Sequence, residues 1–254
     1  EIRAGVVGKL MWNPVTGMFH DRRFDGSLVQ IKTVMGFAPL QTGFPTGDHL
    51  AGMVAQLENP ATFNRPVRVP SLAADEPDYV PEGEYYRGGV WPYTNGMVVE
   101  GLEQCGQPEL ARSIALNYWA AAVKAFEDTG TVWEYLAPEV AAPGRGLNPD
   151  DPGKNARRDF AGWGAYPVIA TFLEHGIGLR ADAPRRELVW NLTSTGRCGC
   201  RRFAFGDIDT DLVVAPRADA SAEPVLETAQ TNRPYTLVLR WGRGQARKLS
   251  VKPT

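Results

Sequence analysis

The stretch that decides the fold is TNGMVVEGLEQCGQPELARSIALNYWAAAVKAF, residues 94–126. Its apolar residues recur at intervals of three and four, which is the period of one face of a helix. Gly106 and Pro108 interrupt this pattern. Glycine is common just past the C-terminus of a helix, and proline is tolerated in a first turn. The segment therefore predicts a hairpin of two helices, one that ends at Gly106 and one that begins at Pro108.

The same periodicity predicts three further helices before residue 182. One covers about residues 2–11, one covers residues 50–57 behind the capping candidates Thr46 and Asp48, and one covers residues 160–174 with Pro167 as a kink. Long segments rich in Gly and Pro separate the helices, at 13–46, 60–92 and 129–158. Loops longer than about 12–15 residues are uncommon unless they build a site. Helical hairpins with such loops favour an α/α toroid over a four-helix bundle.

Beyond residue 182 the apolar residues form short alternating runs between turn residues, which predicts strands. Six are expected, at 187–192, 201–205, 212–215, 225–228, 235–241 and 248–251. We therefore expect a mainly α first domain, residues 1–182, and a small antiparallel β domain, residues 185–254, with the boundary near Ala181-Pro184.

Composition excludes several classes of protein. The 254 residues are 43% hydrophobic and 22% charged, with a net charge of -2, so a disordered chain and a basic nucleic-acid surface are not expected. No apolar run approaches the ~20 residues of a membrane span, and the N-terminus lacks the apolar core of a signal peptide. The unpaired cysteines favour the cytoplasm, although a chain that starts without Met is read here as part of a longer polypeptide.

We expect neither a metal nor a cofactor. One Cys-Gly-Cys, a further cysteine and three scattered histidines are too few for a structural zinc site. The run at 207–211, DIDTD, resembles the start of a calcium loop but has Leu212 where that loop needs glycine. Both this run and Cys198-Gly199-Cys200 are interpreted as turns between strands.

The densest aromatic cluster is YYRGGVWPYTN, residues 85–95. Aromatic rings offer flat apolar faces to the C–H faces of sugars, while Arg and Asn donate hydrogen bonds to hydroxyl or carboxylate oxygens. Four aromatic residues interleaved with Arg87 and two glycines favour the wall of a sugar pocket. The competing interpretation is that these rings pack the loop against the core.

A second cluster, TGTVWEYLAPE at residues 129–139, places Glu134 between Trp133 and Tyr135. Partial desolvation between two aromatic residues suits a carboxyl group to proton transfer. Glu139 is the competing carboxylate, and a cap or an ion-pair partner is the alternative role for Glu134.

A third cluster, DFAGW at 159–163, predicts Asp159 as the N-cap of the fifth helix and Trp163 as either pocket wall or core.

These three segments, in this order, resemble the inverting (α/α)6 glycoside hydrolases of the family 63 type, including mannosylglycerate hydrolase-like enzymes. WNPVTGMFHD at residues 12–21 and LVW at 188–190 also match, so the resemblance covers most of residues 1–192. It implies a partial (α/α)6 toroid with a carbohydrate substrate. The implied activity is inverting hydrolysis of α-linked glucosides, mannosides or small glycosides.

The resemblance places the general base on Glu134. It places the sugar-binding residues in the segments 85–95, 129–139 and 159–163. The predicted substrate-binding residues are Tyr86, Arg87, Gly88, Trp91, Asn95, Trp133, Tyr135 and Trp163. The sequence departs from the family in three ways. Tyr86 stands where the family has Trp, Gly89 stands where it has Pro, and no Asn separates Glu134 from Tyr135. These departures bear on substrate preference.

The general acid of this family is an Asp in a Gly-Trp-Asp motif upstream of every segment present here. An inverting glycosidase needs two carboxyl groups about 6.5–9.5 Å apart, one to protonate the leaving group and one to activate water. Asp21 and Asp25, in the loop after the first predicted helix, are the candidates for a replacement general acid. The alternative hypothesis is therefore a carbohydrate-binding toroid fragment that does not cleave its ligand.

The isolated chain is expected to self-associate. A partial toroid leaves apolar faces at its edges, and at about 25 cal/mol per Å² a few hundred Å² left wet costs several kcal/mol. Sedimentation velocity of the purified 254-residue chain measures this. A compact, cooperatively melting monomer would show that the helices close on themselves.

Overall fold

The computed structural model describes residues 3–146 and 156–253, and its contacts divide the chain into two units, Glu1–Ile169 and Ala170–Thr254. The sequence placed the boundary near Ala181-Pro184, about a dozen residues later. The difference arises because Leu179–Asp182 is a strand that pairs with Glu187–Leu192 inside the second unit. The domain limits 1–182 and 185–254 stay a prediction, and the contacts divide the chain earlier than those limits.

The predicted helical hairpin is confirmed, and its helices are α2, Pro92–Gln104, and α3, Pro108–Thr129. They follow α1, Gly47–Glu58. Two wide, π-type helical segments cover Arg3–Met11 and Pro167–Ile177, and 3₁₀ helices cover Val34–Thr42 and Trp163–Ala165. The 3₁₀ helix Val34–Thr42 was predicted as part of a loop, because Gly36 and Pro39 are residues typical of loops and interrupt its apolar pattern.

The helix ends follow local backbone rules. Gly106 and Gly130 both have φ of +73°, and the Gly130 amide donates to the carbonyl of Phe126 at 2.7 Å. Both are glycines just past a helix, where the left-handed conformation costs glycine little. Thr46 occupies the N-cap position of α1, but its side chain makes no capping hydrogen bond.

The prediction for the fifth helix is wrong in its bounds. Helical residues begin only at the 3₁₀ turn Trp163–Ala165 and continue through Tyr166 into the π-type segment, so Asp159 lies four residues before Trp163 and is not the N-cap. The helix ends at Ile177 rather than at His175-Gly176, and Gly178, with φ of +94°, donates its amide to Leu173. Pro167, predicted as a kink, lies where the helix changes to the π type, and its missing amide hydrogen removes one regular helical hydrogen bond there.

The core of the first unit lies between the three α-helices and the 3₁₀ helix Val34–Thr42. Side chains with 0% exposure fill it, namely Met18, Phe37, Leu40, Met53, Leu57, Phe63, Val98, Leu102 and Ile114. A β-carbon on Gly101 of α2 would lie 2.5 Å from the Leu40 β-carbon, so glycine permits the close approach of these two elements. Phe126, the last residue of the stretch quoted for the helical hairpin, is exposed although it continues the apolar pattern. The expectation for Ile2 lies outside the described residues.

The strands are short at the start of the chain and longer in the second unit. β1, Trp12–Asn13, pairs antiparallel with β2, Met18–Phe19. The later strands are β3 Leu179–Asp182, β4 Glu187–Leu192, β5 Cys198–Phe205, β6 Ile208–Val214, β7 Leu226–Thr231, β8 Tyr235–Trp241 and β9 Gln245–Val251. They form two sheets, in the orders β3-β4-β8-β9 and β5-β6-β7.

The prediction of an antiparallel β domain fails at one pair, because β4 and β8 run parallel. The whole second sheet lies between them in the chain, so β8 is not the return strand of a hairpin. Cys198 and Cys200 lie within β5 rather than in a turn, and only Asp207 of the DIDTD run lies in a turn. Among the described residues, no metal-binding cluster is present and no helix has the length and apolarity needed to cross a membrane.

Arg217 holds two loops of the second unit together. Its guanidinium, 9% exposed, donates to the carbonyls of Leu192 at 3.1 Å, Ser194 at 2.9 Å, Ala220 at 3.0 Å and Ala222 at 3.2 Å. Backbone carbonyls in irregular segments need such donors when they are buried.

Replacement of Arg217 by Ala should lower the free energy of unfolding by about 2–4 kcal/mol, because buried acceptors lose a charged donor. Urea denaturation followed by tryptophan fluorescence measures this change. Arg243→Ala, at an exposed position, is the matched control and should change stability by less than about 0.5 kcal/mol. Equal stability of the two variants would contradict the role given to Arg217.

Candidate active site

The aromatic loop is held in place by Ser71. Its amide donates to the Gly89 carbonyl at 3.0 Å, and its hydroxyl accepts from the Gly88 amide at 3.1 Å and donates to the Tyr85 carbonyl at 3.3 Å. Gly88 has φ of +119°, and a β-carbon there would lie 2.7 Å from the Val80 carbonyl oxygen. Gly88 is therefore a position where the backbone itself requires glycine.

Trp91 is the centre of a cluster of rings. It is 2% exposed, stacks on Tyr86 with centroids 5.0 Å apart and planes at 15°, and lies 4.4 Å from Tyr135. Trp163 is 6.1 Å away. Buried contacts on several sides make Trp91 a support for the surrounding rings rather than an open platform.

The rim of this cluster faces solvent. Its partly exposed rings are Tyr85 at 39%, Tyr86 at 44%, Tyr93 at 38% and Trp163 at 37%. The hydroxyls of Tyr86 and Tyr93 are hydrogen-bonded to each other, and desolvation raises the pKa of Tyr93 well above its ordinary range. Four exposed ring surfaces around one buried indole form a surface suited to a sugar.

Glu134 lies beside this rim. Its amide donates to the Arg157 carbonyl at 3.0 Å, and its carbonyl accepts from Trp163 Nε1 at 2.8 Å. The residue is half-buried, and in the described parts of the chain no side chain forms a hydrogen bond or ion pair with its carboxylate. Glu134, Trp91 and Trp163, which are far apart in sequence, are thus brought together.

The residues that flank Glu134 pack into the protein. Trp133 donates from Nε1 to the Thr129 hydroxyl at 2.8 Å and lines an apolar cavity of about 430 Å³. Tyr135 is 2% exposed and donates its hydroxyl to the Arg145 carbonyl at 2.7 Å. Desolvation raises the pKa of Tyr135 to about 12, so this phenol is neutral.

The two remaining predicted binding residues differ in accessibility. Asn95 is buried and donates to the Arg68 carbonyl at 3.2 Å, which is a structural contact. Arg87 is exposed and pairs with Glu84 at 3.2 Å, and Glu84 also lies 3.4 Å from Arg145 Nε. Among the predicted substrate residues, the accessible ones are therefore Tyr86, Arg87 and Trp163.

Glu139, the competing carboxylate, is occupied. Arg65 donates to it from Nε at 2.8 Å and from a terminal nitrogen at 2.7 Å, and the Tyr79 hydroxyl donates at 2.5 Å. The hydrogen bond from Arg65, followed by that from Tyr79, lowers the pKa of Glu139. A carboxylate kept ionised by a bidentate Arg is a structural anchor.

The two loop aspartates lie in different environments. Asp25 is exposed and accepts hydrogen bonds from the Ser27 amide and hydroxyl, which lower its pKa. Asp21 lines a separate cavity of about 450 Å³ together with Phe19 and His20. A general acid needs a raised pKa, which Asp25 lacks.

Sequence reasoning missed three supporting contributions. Ser71 carried no chemical signal in the sequence. Tyr85 and Tyr93 belong to the quoted aromatic cluster, and their exposed rings show only in the fold. The contact between Thr131 and Asp159 joins residues 28 positions apart and has no local signature.

The pH dependence of stability tests the structural role of Glu139. Because its pKa is lowered in the folded state, its stabilisation is present above the ordinary pKa of glutamate and is lost as the pH falls through the folded-state value. Glu139→Gln should therefore cost about 1–3 kcal/mol at pH 7 and progressively less below about pH 4.5. Urea denaturation of both proteins between pH 3 and pH 7 measures the difference. A penalty that does not change with pH would contradict the ion pair.

Comparisons with known proteins identify the family. The chain is 26% identical to an uncharacterized protein of Borreliella burgdorferi over 213 residues, 82% of this chain and 44% of that protein. It is 28% identical to mannosylglycerate hydrolase MGH1 of Selaginella moellendorffii over 137 residues, 54% of this chain and 27% of that protein. It thus spans less than half the length of either relative.

Neutral trehalase Nth1 from Saccharomyces cerevisiae shares the fold over 68% of this chain and 29% of the trehalase, with a TM-score of 0.53 and 17% identity. The sequence profile of the mannosylglycerate hydrolase MGH1-like glycoside hydrolase domain matches residues 1–154, more than half of the chain. The expectation of a glycoside hydrolase fold is thereby confirmed. On this match the chain belongs to the MGH1-like glycoside hydrolase family.

Proposed function

We propose that the protein containing this chain hydrolyses small α-linked glycosides with inversion, and that Glu134 is its general base. One observation carries the proposal. In a chain of this glycoside hydrolase family, Glu134 is a half-buried carboxylate with no protein partner in the described residues, held beside a rim of exposed aromatic rings. Described carboxylates nearby, by contrast, are engaged in ion pairs, as Glu84 and Glu139 are.

The proposed mechanism assigns each group a task. The exposed faces of Tyr86 and Trp163 pack against the C–H face of a sugar, and Arg87 donates hydrogen bonds to its oxygens. Glu134 accepts a proton from a water molecule, and that water attacks the anomeric carbon from the face opposite the leaving group. A general acid protonates the leaving oxygen. The family resemblance places this acid on an Asp in a Gly-Trp-Asp motif, which does not occur in the 254-residue sequence.

The substrate class follows from the relatives. The Selaginella protein is a mannosylglycerate hydrolase, so a mannose or glucose unit in α-linkage to a small acid or sugar is the proposed substrate. The proposed scaffold is part of an (α/α)6 toroid, formed by the helices and long loops of the first unit. The fold shared with a trehalase supports this scaffold.

The first experiment uses the protein encoded by the complete reading frame. Glu134→Gln should lower kcat for mannosylglycerate by about 10²–10⁴-fold, because a proton-transfer group is lost, while KM changes little. Glu127→Gln, at an exposed position on α3, is the matched control and should leave both constants unchanged. Proton NMR of the first-formed anomer tests inversion. Wild-type turnover in the Glu134 variant would overturn the assignment.

A non-catalytic carbohydrate-binding role is the second candidate. Two observations favour it: the pKa of Asp25 is lowered, and Glu84 and Glu139 are held in ion pairs. Among the described residues, none of these three carboxyl groups is therefore suited to act as the general acid opposite Glu134. Calorimetry with mannosylglycerate and with trehalose tests it alongside the activity assay. Binding without hydrolysis by the complete protein would support this candidate and exclude the first.

A further inference from the structure

The backbone of Glu134 is held on both sides by one segment, residues 157–163. Arg157 provides the carbonyl that accepts from the Glu134 amide at 3.0 Å, and Trp163 provides the indole that donates to the Glu134 carbonyl at 2.8 Å. The Phe160 amide also donates to the Val132 carbonyl at 3.2 Å. The position of the Glu134 carboxylate therefore depends on the path of this segment.

Asp159 lies where that path changes direction. Its φ is +56°, in the left-handed region that Asp and Asn adopt more readily than other residues with a side chain. Its Oδ1 accepts a hydrogen bond of 2.6 Å from the hydroxyl of Thr131, a residue only 8% exposed. One residue thus supplies both the backbone turn and a bond to the start of the Glu134 loop.

We infer that Asp159 is a positioning residue for Glu134, acting through its left-handed backbone and its hydrogen bond with Thr131. The inference rests on the proposed function of Glu134 as the general base. Asp159 itself is an unsuitable acid or base here, because its carboxylate is engaged by Thr131 and lies 3.1 Å from Arg158 Nε. A shift of about 1 Å in a catalytic group can cost about 10²-fold in rate.

Three variants of Asp159 separate its two contributions. Asp159→Asn keeps both the acceptor oxygen and the tolerance for positive φ, so its kcat should stay within about threefold of the wild type. Asp159→Gly keeps the backbone conformation and loses the hydrogen bond, and should lower kcat about 10-fold. Asp159→Ala loses both and should lower kcat by about 10–100-fold. KM should change less than kcat does, because no sugar contact is removed directly, although the sugar-facing Trp163 ends the same segment.

The Thr131 side provides the reciprocal test. Thr131→Val removes the donor and should reproduce the loss seen with Asp159→Gly, whereas Thr131→Ser keeps the donor and should restore most of the activity. The double variant, Thr131→Val with Asp159→Gly, should be no slower than the worse of the two single variants, because both remove one bond. Asp128→Ala, at an exposed carboxylate on α3, is the matched control.

A second readout does not depend on turnover. Hydrogen exchange of amides 131–136, which include the Glu134 amide, should be faster in Asp159→Ala and Thr131→Val than in Asp159→Asn and the control. Unchanged exchange together with kcat within twofold of the wild type would overturn the positioning role. If Glu134→Gln lowers turnover in the same assay, that result leaves the proposed base intact. If Glu134→Gln has no effect, the proposed function fails and the inference fails with it.

Discussion

Two reciprocal hydrogen bonds between Val90 and Leu136 join the two halves of the site. The Val90 amide donates to the Leu136 carbonyl at 2.9 Å, and the Leu136 amide donates back to the Val90 carbonyl at 3.0 Å. Because Trp91 and Tyr135 follow and precede this pair, their rings meet at 4.4 Å. The aromatic loop and the Glu134 loop therefore form one structure, although Trp91 and Glu134 are 43 positions apart, with two helices between them.

The long loops are ordered by side chains that satisfy backbone groups. Arg68, 9% exposed, donates to the Leu57 carbonyl at 2.9 Å and to the Ser113 hydroxyl at 3.1 Å, and burial lowers its pKa. In the second unit, the buried Arg217 likewise donates hydrogen bonds to the carbonyls of Leu192 and Ser194. Carbonyls in the last turn of a helix, such as that of Leu57, and in irregular segments lack regular backbone partners, so buried guanidinium groups donate to them instead. Both units thus hold their loops with arginine rather than with disulfides.

The contrast between Glu134 and Glu139 shows how partners divide two similar residues into different roles. The two glutamates lie five positions apart on one loop. Arg65 and Tyr79 engage the Glu139 carboxylate, which anchors the loop to the segment before the aromatic cluster. The Glu134 carboxylate has no such partner in the described residues, and its backbone rather than its side chain is restrained. A restrained backbone with an uncommitted carboxylate suits a group that must accept a proton.

The sequence by itself determined the elements whose signals are local. The α2–α3 hairpin, the glycines past its helices and the strands 187–192 and 235–241 follow from periodicity and from the backbone preferences of Gly and Pro. The aromatic cluster and Glu134 were also recognisable, because their residue types and order are distinctive. The division of the contacts after Ile169, the 3₁₀ helix Val34–Thr42 and the start of the fifth helix at Trp163 were not.

Only the tertiary structure decided which of the predicted residues are accessible and that Glu139, rather than Glu134, forms an ion pair among the described residues. Trp91, Asn95 and Tyr135 are buried, whereas Tyr86 and Trp163 are exposed, and nothing in their local sequence distinguishes the two groups. The parallel pairing of β4 with β8 and the bond between Thr131 and Asp159 likewise join distant residues. Burial and ion pairing depend on neighbours that are remote in the chain, so periodicity and local residue preferences do not encode them.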